Sequence, residues 1–299
     1  MKPVANPQSN GRSNAGDLIG GEYPFTEQDF RSIARMLHAD VGITLSDTKA
    51  PLVYARLVKR LRALGLQSFK DYCAMVGARS GAGERRHMAA ALTTNVTRFF
   101  REPHHFEFLK QHQLPGLIDL ARRGRRVRLW SAGCSSGEEA YSIALTLLEA
   151  APDVPELDIK ILATDVDEEM LEHARAGAYS DAAVAPIDRE LRNRWFKLKR
   201  DARGERCWRV GEALRGLVAF RELNLIGRWP MRGPFQAIFC RNVTIYFEND
   251  IQIQVWRQMA PLLAPGGCFY IGHSERIVGV DGFRSMGMTV YQRIGEDLP

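Results

Sequence analysis

Apolar positions recur at helical spacing from Thr26 onward. Phe30, Ile33, Met36 and Leu37 share one face behind Thr26 and Asp29, a weak capping box, and Gly42 stops the run. A second face is formed by Leu52, Val53, Leu57, Val58 and Leu61, in a helix predicted over 48–64 with Gly65 as its C-cap. The other positions of that helix carry Arg56, Lys59, Arg60 and Arg62. Residues 68–76 read as a third short helix, 79–84 as a glycine-rich loop and 85–92 as a fourth helix. The pattern predicts a small all-α domain over 22–92, preceded by a disordered tail over 1–21 where Asn, Pro, Ser and Gly dominate.

The period changes after a linker over 93–124. Val127, Leu129 and Trp130 form a short apolar run, followed by the small residues Ser131 to Gly137. Glu138 and Glu139 then open a helix whose apolar face is Tyr141, Ile143, Ala144, Leu147 and Leu148. Strand, glycine turn and helix make the first unit of a doubly wound α/β sheet. A second strand over 158–165 ends in Asp165, and a helix over 168–177 closes at Gly177. The rhythm then breaks over 179–218, a polar stretch with Trp195, Phe196 and Trp208 as apolar anchors and a short strand at 207–210. This reads as an insertion, a short helix followed by a small antiparallel sheet. Strands resume at 218–225 and 237–240. A helix over 248–263, a Pro-Gly-Gly turn and strands at 268–272 and 289–294 complete the pattern. The fold class expected over 125–299 is α/β and Rossmann-like, mostly parallel with an antiparallel edge strand.

Composition excludes several classes. No apolar run is long enough to span a bilayer and no signal peptide opens the sequence as it stands, so a cytoplasmic protein that does not insert into membranes is expected. The five cysteines are scattered and never in C-x-x-C spacing, which argues for a reduced protein without a zinc site. A net charge of +6, from 41 basic and 35 acidic side chains, suits an acidic partner of either nucleic acid or protein.

Candidate chemistry collects at strand ends on one expected sheet edge: the glycine loop, Asp165, Asn224-Leu225, and Arg241-Asn242 with Tyr246 after the buried strand. Asp165 lies about 30 residues beyond the loop and can occupy a ribose-binding position. Cys134 stands where a dinucleotide fingerprint needs its second glycine, and no Walker lysine is present. S-adenosylmethionine, with a ribose and no phosphate, fits such a loop. Asn224 after a strand also reads as ordinary turn chemistry. In the polar stretch 93–109, Glu102-Pro103 suits a helix start. His104 and His105 should point about 100° apart on that helix, so no metal site is expected. The basic run Arg122 to Arg128 reads as a solvated turn.

TTNVTRFFRE, RLWSAGCSSGEEAYSIAL, ILATDVDEEMLEHARAGAY, PFQAIFCRNVTIYF and LLAPGGCFYIGHSE, in that order, resemble the chemotaxis receptor methyltransferase family, CheR. VYARLVKRLRALGLQSFKDYC resembles that family's helical domain, and Thr244 departs from the hydrophobic residue usual there. The resemblance implies a class I S-adenosylmethionine-dependent methyltransferase that esterifies glutamate side chains of chemoreceptors, releasing S-adenosylhomocysteine. It implies cofactor contacts at Asn95, Thr97, Arg101, Glu138, Glu139, Asp165, Asn224, Leu225, Arg241 and Asn242, and a catalytic set of Arg101, Arg241 and Tyr246. The insertion corresponds to a subdomain that in some members docks a receptor's C-terminal peptide. The expected partner is the acidic helical bundle of a chemoreceptor's cytoplasmic domain, met by Arg56, Lys59, Arg60 and Arg62 of a monomeric enzyme. Two other readings share the sheet. A nucleic-acid methyltransferase would often show an Asn-Pro-Pro-Tyr-like motif, which Arg241-Asn242-Val243 lacks. A non-catalytic module would not need polar residues at all four strand ends.

Overall fold

Residues 18–201 and 203–295 are described by a computed structural model, so the expected tail lies outside the described residues except for 18–21. The chain divides into two units, Met1–Thr93 and Thr94–Pro299. In the first, α1 (Glu27–Val41) begins with the reciprocal box its sequence predicts: Thr26 Oγ1 accepts from Asp29 N at 3.2 Å while Asp29 accepts from Thr26 N at 2.9 Å. α2 (Ala50–Leu64) follows a 3₁₀ turn, and α3 (Phe69–Gly77) is capped by Ser68. Gly42 and Gly65 end α1 and α2 in the left-handed conformation. α4 (Ala82–Leu92) starts three residues before the pattern predicts, because Arg79–Gly81 is itself a 3₁₀ turn that feeds straight into it. Phe25, Ile33, Leu37, Val53, Leu57, Leu61, Phe69 and Met88 are buried as its core. Leu18 of the expected tail donates its N–H to the Phe25 carbonyl at 2.8 Å.

Among its described residues the second unit carries ten strands: β1 (Val127–Ala132), β2 (Ile159–Asp165), β3 (Ala178–Tyr179), β4 (Phe196–Arg200), β5 (Arg206–Val210), β6 (Val218–Glu222), β7 (Phe235–Cys240), β8 (Leu263–Ile271), β9 (Phe283–Gly287) and β10 (Val290–Arg293). Seven form one sheet in the order β6-β2-β1-β7-β8-β10-β9. Neighbours from β6 through β8 are parallel, and β10 runs antiparallel to both β8 and β9. The parallel strands end level: Ala132 pairs with Thr164 and Cys240, Asp165 with Glu222, and Cys240 with Ile271. That common edge is where an open α/β sheet takes ligands.

Helix Glu138–Ala150 is buried along most of its length, with Ile143, Ala144, Leu147 and Leu148 in the core that also holds β1, β2 and β7 residues. Helix His104–Phe108 runs on through a π segment, Leu109–Gln113, into Leu114–Arg122. Pro115, which has no N–H to give the preceding turn, accounts for the break in α register. In the insertion, helices Asp181–Val184 and Arg189–Trp195 accompany a three-stranded antiparallel sheet in the order β3-β5-β4. Among the described residues no helix is long and apolar enough to cross a membrane.

Candidate active site

The glycine loop leaves β1 at Ala132 and is pinned at once to β2, since Gly133 N and Cys134 N both donate to the Thr164 carbonyl, at 2.8 and 2.9 Å. Gly133 has φ +77°, and a Cβ there would sit 2.4 Å from Val243 Cγ2, so neither the turn nor the neighbouring loop admits a side chain. Asp165, at the end of β2, accepts from Ser135 N at 2.7 Å through one oxygen and from Asp167 N at 3.0 Å through the other. It is 9% exposed, and burial pushes its carboxyl above the usual range. Each oxygen takes one donor, which leaves lone pairs for two more.

The segment after Thr94 straps across this loop. Asn95 donates its amide to Asp167 at 2.8 Å and accepts from Ser135 Oγ at 3.3 Å on its carbonyl. Thr97 is half-buried two residues on, and Arg101 folds back to donate to the Val96 carbonyl at 2.9 Å. Phe100, Glu102, Ser135 and Asn242, none of them glycine, all hold positive φ around this edge. Such backbone costs of order 1–3 kcal/mol per residue and persists where the surroundings impose it.

At the end of β7, Arg241 is buried and bonded on several sides. Its guanidinium donates to Glu139 at 3.1 Å, to Glu102 at 3.1 Å and to the Arg101 carbonyl, and lies 5.6 Å from the centre of the Phe106 ring. Its Nε is buried with no hydrogen-bond partner among the described residues. Glu139 also accepts from Ser131 Oγ at 2.7 Å; burial pushes its carboxyl up while Arg241 opposes the shift. Glu138 is buried, raised by burial, and accepts from Ser136 Oγ at 2.7 Å. Asn242 and Tyr246 are half-buried, Tyr246 in the 3₁₀ turn Thr244–Tyr246. Asn224 Oδ1 accepts from Ile226 N at 3.1 Å, the turn chemistry its residue type suggests. Leu225 buries its side chain with Trp130 and Ile238, so any ligand contact there falls to its backbone.

Two acids that residue type alone did not single out complete the site. Glu102 accepts from His273 Nδ1 at 2.8 Å as well as from Arg241. Burial would raise its carboxyl, but the His273 hydrogen bond and the Arg241 charge hold it at about 2. Glu275, 4% exposed, accepts from five donors on the turns after β7 and β8. Glu102 sits in the polar stretch 93–109 and Glu275 in the polar run Gly272 to Arg276, so neither position stands out in the sequence. The divergence expected of His104 and His105 is not what forms: their rings lie 4.3 Å apart in a T-shaped pair, and both bring a nitrogen within 4.8 Å of Glu102. Glu102 already serves Arg241 and His273, and His105 Nε2 bonds the Met288 carbonyl at 2.9 Å and Thr289 Oγ1 at 3.0 Å.

The four basic residues of α2 are placed in the first unit, and three have partners within it. Arg56 donates to the Leu92 and Thr93 carbonyls at 2.9 and 2.7 Å, capping the end of α4. Arg60 makes a bidentate pair with Glu84 at 2.9 and 2.6 Å. Arg62 pairs with Glu22 at the surface, and Lys59 is exposed.

Sequence comparison matches both units. The family model described as "CheR methyltransferase, SAM binding domain" matches residues 95–292, and "CheR methyltransferase, all-alpha domain" matches residues 28–93. A probable chemotaxis protein methyltransferase of Rhizobium etli is 49% identical over 86% of this chain and 96% of its own. Chemotaxis protein methyltransferase 2 of Pseudomonas aeruginosa is 43% identical over 90% of this chain and 94% of its own. Among solved structures, PKMT2 from Rickettsia typhi in complex with AdoHcy overlaps 48% of this chain and 20% of that one, with a TM-score of 0.30 and 15% identity. With a binding-domain match on the unit that holds the site and relatives aligned almost end to end, the chain belongs to the CheR methyltransferase family.

Proposed function

We propose that this protein transfers a methyl group from S-adenosylmethionine to glutamate side chains of chemoreceptors, forming methyl esters and S-adenosylhomocysteine, as a cytoplasmic monomer. The observation that carries this reading is the Asp165 carboxylate at the level edge of the sheet, fixed by two backbone donors with acceptor capacity to spare. The donor set suits the cofactor. In this reading Asp165 takes both ribose hydroxyls, Asn95, Thr97, Glu138 and Asn224-Leu225 contact the cofactor, and the buried Arg241 Nε–H is one donor left over in a guanidinium that Glu102 and Glu139 already pair. Bound there, S-adenosylmethionine supplies a methyl group activated by its sulfonium charge.

The residues present have little proton chemistry to do. A glutamate carboxylate, with a reference pKa of about 4.3, is already the nucleophile at neutral pH. The protein's part is to aim it and to strip its water, and positioning of that kind is worth on the order of 7–11 kcal/mol. Arg101, less buried than Arg241, orients a carboxylate at the mouth of the site. Arg241 stiffens the floor through Glu139, Glu102 and the Arg101 carbonyl, and Asn242 follows it at the site's edge. Tyr246 donates a hydrogen bond to the reacting carboxylate. Charge falls as an anion and a sulfonium become ester and thioether, so a partly dry edge favours the transition state.

The receptor meets the protein at two further places in this reading. On α2 the acidic helical bundle is met by Lys59 and by Arg62, whose pair with Glu22 is solvent-exposed and exchangeable, because Arg56 and Arg60 serve the packing of α2 on α4. In the insertion, β4 pairs only with β5 among the described strands, and its edge carries Lys197, Lys199 and Arg200. A receptor's C-terminal peptide can add there as a strand. The decisive experiment supplies labelled S-adenosylmethionine to receptor-containing membranes. Base-labile label on receptor supports the reading, and label on nucleic acid or none at all removes it.

A further inference from the structure

We infer that Glu275 is a positioning residue for methyl transfer, holding the turn between Arg241 and Tyr246 so that the Tyr246 hydroxyl reaches the reacting carboxylate. The inference rests on the role given to Tyr246 above. β8 ends at Ile271, and the turn that follows closes with Glu275 N donating to the Gly272 carbonyl at 2.9 Å. This sends the Glu275 carboxylate back into the protein. One oxygen accepts from Val243 N at 2.9 Å, Thr244 N at 2.8 Å and Thr244 Oγ1 at 2.8 Å. The other accepts from Asn242 N at 2.7 Å and Gly272 N at 2.6 Å. Three consecutive N–H groups converge on one carboxylate only when the backbone curls into a nest, and Asn242 supplies the curl with φ +60°. A Cβ on Gly272 would lie 2.5 Å from Asn242 Nδ2 and 2.7 Å from Glu275 Oε2, so the two turns are fitted to each other.

An anion bound in a nest usually comes from a ligand. Here it is the protein's own, so the loop is set in place before any substrate arrives. Arg241 leaves one end of the nest, and Tyr246 the other, its N–H bonded to the Val243 carbonyl at 3.3 Å. Among the described residues every hydrogen-bond donor to the Glu275 carboxylate lies between them or on its own turn. An acid that served only the fold would have no reason to act through Tyr246, and this separates the two roles.

The test uses the full chain with receptor membranes, alongside calorimetric binding of S-adenosylhomocysteine. In Glu275→Gln an amide NH₂ faces the backbone donors in place of an oxygen. The expected result is a folded protein whose kcat falls about tenfold or more, with KM for receptor within about threefold of wild type. Thr244→Val removes one of the five donors and should lower kcat less, by roughly two- to threefold. The double variant Tyr246→Phe/Glu275→Gln should be no slower than the slower single variant, because both changes act on one contact. Wild-type kcat in a folded Glu275→Gln protein, or losses in the double variant that multiply in full, overturns the inference. If Glu275→Gln does not fold, Thr244→Val decides by the same measure, and wild-type kcat there overturns it. Failure of the underlying reading shows separately, as wild-type turnover in Tyr246→Phe alone.

Discussion

Replacing Glu102 with Gln keeps the shape of the side chain and removes its charge. The carboxylate is 12% exposed and is held by Arg241 at 3.1 Å and His273 at 2.8 Å. Burial alone would raise its pKa, yet these partners hold it at about 2 against an ordinary 4.5. At about 1.4 kcal/mol per pH unit that gap corresponds to roughly 3 kcal/mol of stability at neutral pH. The sign follows from a folded-state pKa below the unfolded one. The contribution is complete above the unfolded pKa and is lost as pH falls toward the folded value, so it fades between about pH 5 and 2. By pH 3 somewhat under half should remain, about 1.4 kcal/mol. Glu102→Gln should therefore unfold at lower urea than wild type at pH 7, and the two midpoints should converge as the buffer is taken to pH 3. The variant also leaves Arg241, whose side chain is 1% exposed, with Glu139 as its remaining acid partner. A destabilisation that stays constant from pH 7 to 3, or no destabilisation at pH 7, refutes the reasoning, since the effect would then not follow the ionisation of Glu102.

Asp165→Ala should lower S-adenosylhomocysteine affinity by roughly ten- to a hundredfold, and because Asp165 also pins Ser135 and Asp167, it should cost stability as well. Unchanged affinity in calorimetry removes the ribose assignment. Tyr246→Phe should leave that affinity near wild type while initial-rate assays show a lower kcat. Reversing Arg56 or Arg60 to Glu should lower the melting temperature, since each would place an acid against α4 carbonyls or Glu84. Lys59→Glu with Arg62→Glu should instead raise KM for receptor and flatten the salt dependence of the rate with the fold intact. An unchanged KM would move receptor recognition off this helix.

What the sequence disclosed was local. Thr26, Asp29 and Gly42 bound α1, and the strand, glycine loop and helix from Val127 onward announce the sheet edge, because each signal sits within one turn of what it governs. Asp165 is legible as the acid that ends an apolar strand. Glu275 is not, since its role is written in donors about 30 residues earlier in the chain, which no periodicity marks. At 100° per residue Arg56, Lys59 and Arg60 share one flank of α2, but that spacing carries no sign that α4 packs across it. β9 escaped notice because Phe-Arg-Ser-Met-Gly has little apolar alternation, and four of its five residues are exposed on the sheet's outer strand.

The place of β10 bears on how the chain is made. Among the described residues it follows every other strand in sequence, yet in the sheet it lies between β8 and β9. A nascent chain that has emerged as far as β9 therefore carries β8 with a bare edge, and β9 has nothing to pair with. In such a chain His105 Nε2 also lacks its partners, Met288 and Thr289. During synthesis the unit has an open flank until Val290–Arg293 arrives to seal it. A chain cut short before those residues would keep the expected cofactor residues in its sequence and carry an adhesive β edge, a target for chaperones and proteases.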